Sequence, residues 1–400
     1  MNNQPTLFDE QRMGFSEALE MTAMSLMAYA STHRHWVIAY SGGKDSSATV
    51  TAVVHLILTG RVPAPESLTI LYADTRMELP PLQNAALTML AELRRRGFRA
   101  EVVLPRMDDR FFVYMFGRGV PPPSNTFRWC TPQLKIEPMQ AALKELRARV
   151  GEKLLMITGV RLGESAARDA RIALSCGKNG AECGQGWFQE TTPGSIADTL
   201  APLLHWRLCF VWDWLTVFAP ADGFPTALVA ESYGGDEAHE INARTGCVGC
   251  NLASRDVALE TVIQNERWTW LSPLRRLRSV YAELKLPKNR LRKLDERKAD
   301  GELVSNPGRM GPLTMDARRW GMEQILSIQD ECNMHRQRFA GAPAIDLINA
   351  EEKARIEELI AANTWPQRWS GDEIRADVVT DDYNRDGSVQ KVMIDLISGT

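Results

Sequence analysis

The stretch from Trp36 to Leu58 constrains this chain more than any other. Trp36-Val-Ile-Ala-Tyr40 is short, apolar and rich in β-formers, which predicts a buried strand. Ser41-Gly-Gly-Lys-Asp-Ser-Ser47 follows directly. Its two glycines permit a tight turn and a close approach of backbone to a ligand. Ser46 to Leu58 is mostly apolar and predicts a helix, capped at its start by Asp45 or Ser46. Strand, glycine turn and helix N-terminus together form an anion site: orphan N–H groups and the helix dipole point at the ligand, and Lys44 adds a cation. The stretch is not a Walker A loop. That pattern needs a Gly five positions before Gly43 and a Ser or Thr after the lysine, where this chain has Ile38 and Asp45.

It resembles instead the SGG-x-DS loop, the PP-loop, of ATP pyrophosphatases and adenylylsulfate reductases. That resemblance implies cleavage of ATP between the α- and β-phosphates, with Ser41, Gly42, Gly43, Lys44, Asp45, Ser46 and Ser47 on the nucleotide. The bland alternative is a generic Gly-Gly turn before a core helix.

Downstream the pattern alternates. Phe15 to Tyr29 has apolar residues at helical spacing, and its Met-rich face reads as core. Ser67 to Ala73 predicts a second buried strand, Pro80 to Arg96 a helix, Ala100 to Leu104 a strand, and Lys153 to Thr158 another. Strands alternating with helices predict an α/β fold, a parallel sheet flanked by helices. Ligands of such sheets sit beyond the carboxyl ends of strands. Ser41 and the pair Asp74-Thr75 fall at such ends, and so does Gly159-Val-Arg-Leu-Gly-Glu-Ser165. Asp74, or Asp45, is placed to hold Mg²⁺, a hard cation that favours oxygen ligands. Glu78 is a weaker candidate beside Asp74. Arg161, Arg168 and Arg171 suit phosphate oxygens through the guanidinium fork, or else line a solvated helix face.

Four hundred residues allow one large or two medium domains. The division expected is an N-terminal helix over 1–30, the nucleotide domain over 31–255, and a basic, mainly helical region over 256–400. A net charge of −3 leaves nucleic-acid binding to a local patch. No leader pattern and no apolar run long enough for a membrane are written, so the expectation is a cytoplasmic protein.

Seven cysteines are too few and too dispersed for a secreted disulfide scaffold, so clustered ones point to metal or sulfur chemistry. Cys130 follows Arg128-Trp129 and precedes Pro132, Lys135 and a helix to about Val150 with Thr131 as its cap, a cationic setting that favours thiolate. Phe111 to Pro123, before it, reads as an irregular connection. Cys247-Val-Gly-Cys250 spaces two thiolates for one metal centre. Paired with Cys176 and Cys183 from a Gly-rich loop, it would suit Zn²⁺ or a [4Fe–4S] cluster and leave Cys130 free to carry sulfur. Cys130 competes for those same ligand positions. Cys209, inside an apolar run with three tryptophans, reads as packing.

Arg275 to Lys298 holds ten Lys and Arg residues against three acidic ones, with Tyr281 among them. Such a run tracks a nucleic-acid backbone or forms a solvated face. Thr314 to Arg338 and Glu351 to Ala362 predict amphipathic helices. The tail predicts a terminal hairpin or an ordered tail, and its Asp381 to Asp386 turn is no EF-hand, because the downstream Glu is missing.

The PP-loop, Arg128-Trp-Cys-Thr-x-x-Leu-Lys135, Gly159-Val-Arg-x-x-Glu-Ser-x-x-Arg168 and Gly246-Cys-Val-Gly-Cys250 occur in one order. Together they resemble the phosphoadenosine phosphosulfate reductase superfamily, with the adenine nucleotide α-hydrolase-like fold. Pro273-Leu-x-x-Leu-Arg278 and Gly308-x-x-Gly-Pro-Leu-Thr-x-x-Ala-Arg318 add likeness to its DNA phosphorothioation branch, the DndC and SspD proteins. The resemblance implies an enzyme that uses ATP, Mg²⁺ and a [4Fe–4S] cluster. It acts on DNA with a cysteine desulfurase and other phosphorothioation proteins as partners. Lys44, Asp45, Cys130 and Arg161 would be catalytic, and Gly159, Arg161, Asp74 and Thr75 would join the loop at the nucleotide. DndC-type proteins place four cluster cysteines close to the C-x-x-C, whereas Cys176 and Cys183 lie well upstream here. A sulfonucleotide reductase, a tRNA thiolation enzyme and a non-enzymatic iron–sulfur DNA-binding protein are the competing readings.

Overall fold

The computed structural model describes residues 13–163, 181–182, 187–189, 195–233, 246–293, 301–302, 309–378, 381–383 and 389–391. The chain divides into two units, one of 1–74, 78–104 and 137–245, the other of 75–77, 105–136 and 246–400.

The first unit is built on a seven-stranded sheet. Helix α1 (Phe15–Ala30) leads into β1 (His35–Tyr40), α2 (Lys44–Leu58), β2 (Ser67–Ala73), α3 (Pro80–Arg95), β3 (Arg99–Val103), α4 (Glu137–Val150) and β4 (Leu154–Ile157). Strands β5 (Ala181–Glu182), β6 (Trp187–Gln189) and β7 (Ala197–Ala201) complete it in the order β3-β2-β1-β4-β7-β6-β5. The five strands from β3 to β7 in that order are parallel, and β6 and β5 form an antiparallel edge. The expected parallel sheet flanked by helices is therefore present.

β1 lies centrally, Ile38 paired with Ile70 on one side and Ile157 on the other, and is buried along nearly its whole length. Strands covered by helices on both faces read as continuous apolar runs, as Trp36 to Tyr40 does. Helix α4 lays Leu143 and Leu146 on Val37, Leu71 and Leu154. The chain leaves β1 toward β2 on one side and later places β4 on the other. The carboxyl ends of β1 and β4 thus mark the switch point at which open α/β sheets form ligand crevices.

Two expectations here are corrected. On α1, Leu19 and Leu26 are buried but Met24 and Met27 are exposed, so the methionines are not core. Phe15 anchors the helix instead, stacked on Phe218 at 4.6 Å and edge-on to Trp206. Cys209 is exposed, because the helix Leu208–Asp213 turns Phe210, Val211 and Trp212 inward.

In the second unit, helices Met315–Arg336 and Ala350–Ala361 accompany a three-stranded sheet of Ile374–Arg375, Arg290–Arg292 and Met310–Leu313. Thr314 and Asn349 cap the two helices by accepting N–H groups of Ala317 and Glu352. Phe111 to Gly117 is helical rather than irregular, with a wide π-type turn from Val113 to Gly117. Arg318, with no exposed surface, holds that turn by donating to the carbonyls of Phe116 and Gly117, and to Thr364 O at 2.9 Å. Pro132–Ile136 forms a second such turn inside a helical run that already starts at Cys130, so Thr131 lies within the helix and is not its cap. Asp381–Tyr383 and Val389–Lys391 pair antiparallel, as the expected terminal hairpin does.

Candidate functional site

Ser41 leaves the carboxyl end of β1, Gly42 turns the chain with φ +77°, and Gly43 caps α2 in an extended conformation. The helix starts at Lys44, so neither Asp45 nor Ser46 is its cap. Ser46 closes the loop instead. Its hydroxyl donates to Gly43 O at 3.0 Å, accepts from the Ser41 N–H at 3.3 Å and lies 3.1 Å from Ser41 Oγ. Ser47 is fully buried, 3.4 Å from the Tyr40 hydroxyl, and belongs to the scaffold beneath the loop.

Lys44 and Arg161 are 6% and 5% exposed and share one carboxylate. Lys44 Nζ lies 3.2 Å from Asp45 Oδ2, and Arg161 Nε lies 3.0 Å from Asp45 Oδ1. Arg161 also donates to the carbonyls of Leu162 and Trp206. Two cations on one carboxylate leave one positive charge in excess at a helix N-terminus, in a poorly solvated place. That arrangement favours a bound anion.

Gly159 follows β4 and presses on this loop. A Cβ there would lie 2.9 Å from Ser46 N and 3.0 Å from Asp45 O, so only glycine lets the strand end rest on the first turn of α2. Tyr233 completes the enclosure. Its hydroxyl accepts the Lys44 N–H at 3.2 Å, and Lys44 Nζ lies 5.3 Å from its ring centre. No motif marks Tyr233 in the sequence.

Asp74, 5% exposed at the end of β2, accepts from Gln83 Nε2 at 3.1 Å. Asp74 and Glu78 both lie near Tyr72, whose hydroxyl burial pushes far up, with the two carboxylates adding to the effect. Carboxylate oxygens such as these are the donors that Mg²⁺ takes. Both Asp45 oxygens, by contrast, are engaged by cations.

In the second unit, Thr75 is fully buried and its hydroxyl accepts the Met77 N–H at 3.3 Å. Arg76 takes a left-handed conformation (φ 62°) and bonds Glu352, a buried carboxylate also held by Arg110. The Met77 carbonyl receives the Val248 N–H at 2.7 Å, which fixes the C-x-x-C turn. Within that turn Cys250 N–H donates to Cys247 O, and Gly249 at φ +64° donates to Asp256 Oδ2. Arg278 donates to Cys250 O, Ala253 O and Ser254 O, closing the turn from outside.

The Cys130 thiol is pushed up, chiefly by burial and then by Cys250, against a hydrogen bond from Thr131 that pulls it down. The expected thiolate-favouring setting is thus corrected: Arg128 turns to Asn125 Oδ1, 3.0 Å away, and burial prevails. Tyr281 is buried between these segments with no partner for its hydroxyl among the described residues. Burial raises it well above the usual phenol range, with further contributions from Cys247, Cys250 and Asp256. Cys247 and Cys250 lie near this orphaned hydroxyl and Cys250 near Cys130, and thiols fit an iron–sulfur centre in donor chemistry. Among the described residues no three His, Cys, Asp or Glu side chains close into a metal-binding set. Cys176 and Cys183, like Arg168 and Arg171, lie outside the described residues.

Much of the basic run is engaged within the second unit. Arg275 pairs with Glu260, Arg276 with Glu331, Lys288 with Glu283, and Lys293 reaches Arg368 O. Arg290 is buried against the carbonyls of Met310 and Gly311. Among the described residues of the run, these cations thus have acceptors within the unit, while Arg275, Arg276 and Lys288 stay about half exposed. Arg297 and Lys298 lie outside the described residues.

Residues 35–217 match the phosphoadenosine phosphosulfate reductase domain. An uncharacterised protein of Methanocaldococcus jannaschii is 25% identical over 179 residues, 44% of this chain and 34% of that relative. This chain thus spans about a third of that relative's length. Three solved structures are similar at low TM-scores. They are the phosphoadenylyl-sulfate reductase of Candida auris (13% identity, 59% of this chain and 96% of that chain, TM-score 0.34), the U34-tRNA thiolase NcsA of Methanococcus maripaludis with its [4Fe–4S] cluster (14%, 67% and 78%, 0.33), and the FMN adenylyltransferase of Candida glabrata with FMN and an ATP analogue (15%, 50% and 56%, 0.31). Residues 35–217 are thus similar to the phosphoadenosine phosphosulfate reductase domain.

Proposed function

We propose that this chain is an ATP pyrophosphatase that adenylates a backbone phosphate of DNA and assists the exchange of its oxygen for sulfur. The observation that carries the reading is the buried Lys44–Asp45–Arg161 cluster on a PP-loop at the sheet's switch point. ATP lies with its phosphates on Ser41–Ser47, and Asp74 with Glu78 takes Mg²⁺. A non-bridging DNA oxygen attacks the α-phosphorus and pyrophosphate leaves. Lys44 and Arg161 offset the charge that builds on the phosphoryl oxygens, and Asp45 holds both cations in place. Gly159 keeps the loop in register.

The second unit supplies sulfur. Persulfide sulfur on Cys130, delivered by a cysteine desulfurase, attacks the activated phosphorus and AMP leaves with the former DNA oxygen. A second thiol then cleaves the S–S bond, supplying two electrons and ending in a disulfide. Cys247 and Cys250 would hold an iron–sulfur cluster, whose chemistry is to pass electrons or bind sulfur. On this reading the protein works in the cytoplasm, with DNA and other phosphorothioation proteins as partners. No described helix is long and apolar enough to cross a membrane.

A second reading has one observation in its favour: the matched domain is that of sulfonucleotide reductases, which would seat a preformed adenylylsulfate on the same loop. The Lys44→Ala variant tests the loop. Pyrophosphate release from ATP should disappear while iron content is unchanged, and release at the wild-type rate would remove the loop from the mechanism.

A further inference from the structure

The second unit contains a cavity of about 690 Å³, well within the range of small-molecule sites. Pro121 and Pro122 form one wall, Phe127 and Trp369 contribute rings, and Lys285, Arg290 and Arg309 contribute charge. None of its described lining residues is acidic. Arg290 is 8% exposed and bonds only carbonyl oxygens among the described residues. The Lys285 side chain makes no hydrogen bond or ion pair among the described residues, and burial followed by the nearby Arg290 and Arg278 lowers its affinity for a proton. A cation held without a counter-charge, beside a second one, is stabilised by an incoming anion.

Phe127 is the exposed ring, 47% accessible. It stands on a rigid turn in which Ser124 and Phe127 exchange backbone hydrogen bonds and Ser124 Oγ accepts the Phe127 N–H at 3.1 Å. The proline wall is tied to both cysteine segments. Trp129 Nε1, next to Cys130, donates to Pro121 O at 3.1 Å, and Asn251 Nδ2, next to Cys250, donates to Pro123 O at 2.9 Å.

We infer that this cavity holds one nucleotide of a single-stranded nucleic acid, its base stacked on Phe127 and its phosphate on Lys285 and Arg290. A flat ring and an anionic tail are what an exposed phenyl and two cations without a counter-charge among the described residues select. The inference deepens the proposed function, on which it rests for the identity of the substrate, and it assigns the nucleic acid to the unit that carries the cysteines.

The test is fluorescence anisotropy of a labelled single-stranded oligodeoxynucleotide on the full chain, without ATP, so that failure of the PP-loop reading leaves the result standing. Phe127→Ala should weaken binding about tenfold. It should do so for an intact oligonucleotide and not for one abasic at every position. Lys285→Gln should weaken binding and make the salt dependence shallower by about 0.7. Unchanged affinity in both variants overturns the site, as does an equal loss for intact and abasic strands. Competition by free dAMP with the affinity of the oligonucleotide would overturn the polymeric ligand and assign the cavity to a mononucleotide.

Discussion

Gly159→Ala perturbs the loop without touching any charged group. The added Cβ would sit 2.9 Å from Ser46 N and 3.0 Å from both Asp45 C and Asp45 O, all backbone atoms at the start of α2. Ordinary van der Waals contact begins at 3.4 Å, so relief requires a displacement of about half an ångström between strand end and helix. The backbone angle of Gly159 is not in the left-handed region, so the cost is crowding and not strain. Overpacking of this kind costs about 1–3 kcal/mol. In a unit of this size that lowers the melting temperature by roughly 2–4 °C per kcal/mol. The 3.0 Å Arg161–Asp45 bond spans the same junction and should lengthen, so ATP affinity should fall about tenfold. Isothermal titration with a non-hydrolysable ATP analogue, beside calorimetric melting, reads both effects. Gly246→Ala, where a Cβ meets open space, is the control. If Gly159→Ala melts and binds nucleotide like that control, the strand end does not position the loop and the reasoning fails.

Other outcomes follow from the same geometry. Gly249→Ala places a methyl 2.7 Å from Leu277 Cβ at a φ that disfavours any Cβ, so iron content after anaerobic reconstitution should fall. Full iron content in Gly249→Ala would show that the turn is not needed. Tyr233→Phe removes the hydroxyl that accepts the Lys44 N–H and should tighten ATP binding severalfold by returning that amide to a phosphate, whereas weaker binding would make Tyr233 a ligand contact. Burial with Glu331 nearby pushes the Cys332 thiol up to about 12, so it stays protonated at pH 8. Iodoacetamide mapped by mass spectrometry should spare native Cys332 and label exposed Cys209, and native labelling of both would contradict the assigned burial.

What the sequence disclosed followed the range of each interaction. The strand, glycine turn and helix around Ser41–Ser47 are local, and all three formed, the helix starting two residues earlier than its apolar pattern suggests. Gly159 and Arg161 were legible because a second strand end repeats that local pattern. Tyr233 was not legible, since its bond to Lys44 joins residues 189 positions apart. Cys130 was misjudged for a related reason: nearby Arg128 suggested a stabilised thiolate, but spacing does not say that its guanidinium turns to Asn125. The Arg275–Lys298 run looked like a track for nucleic acid because a sequence shows cations without their acceptors. In the fold many of these side chains find carboxylates or carbonyls within the second unit, and Lys285 and Arg290 are instead gathered at one cavity. Asp74 and Thr75 illustrate a further limit. They are adjacent in sequence, yet Asp74 groups with the sheet and Thr75 with the second unit.

The most direct test of the account is product analysis after anaerobic incubation of the full chain with ATP, Mg²⁺, single-stranded DNA, and a cysteine desulfurase with cysteine and a reducing thiol. The account predicts AMP and pyrophosphate in equal amounts, both lost in Lys44→Ala. No consumption of ATP, with sulfite formed when adenylylsulfate is supplied in its place, would contradict it and assign the loop to a sulfonucleotide reductase.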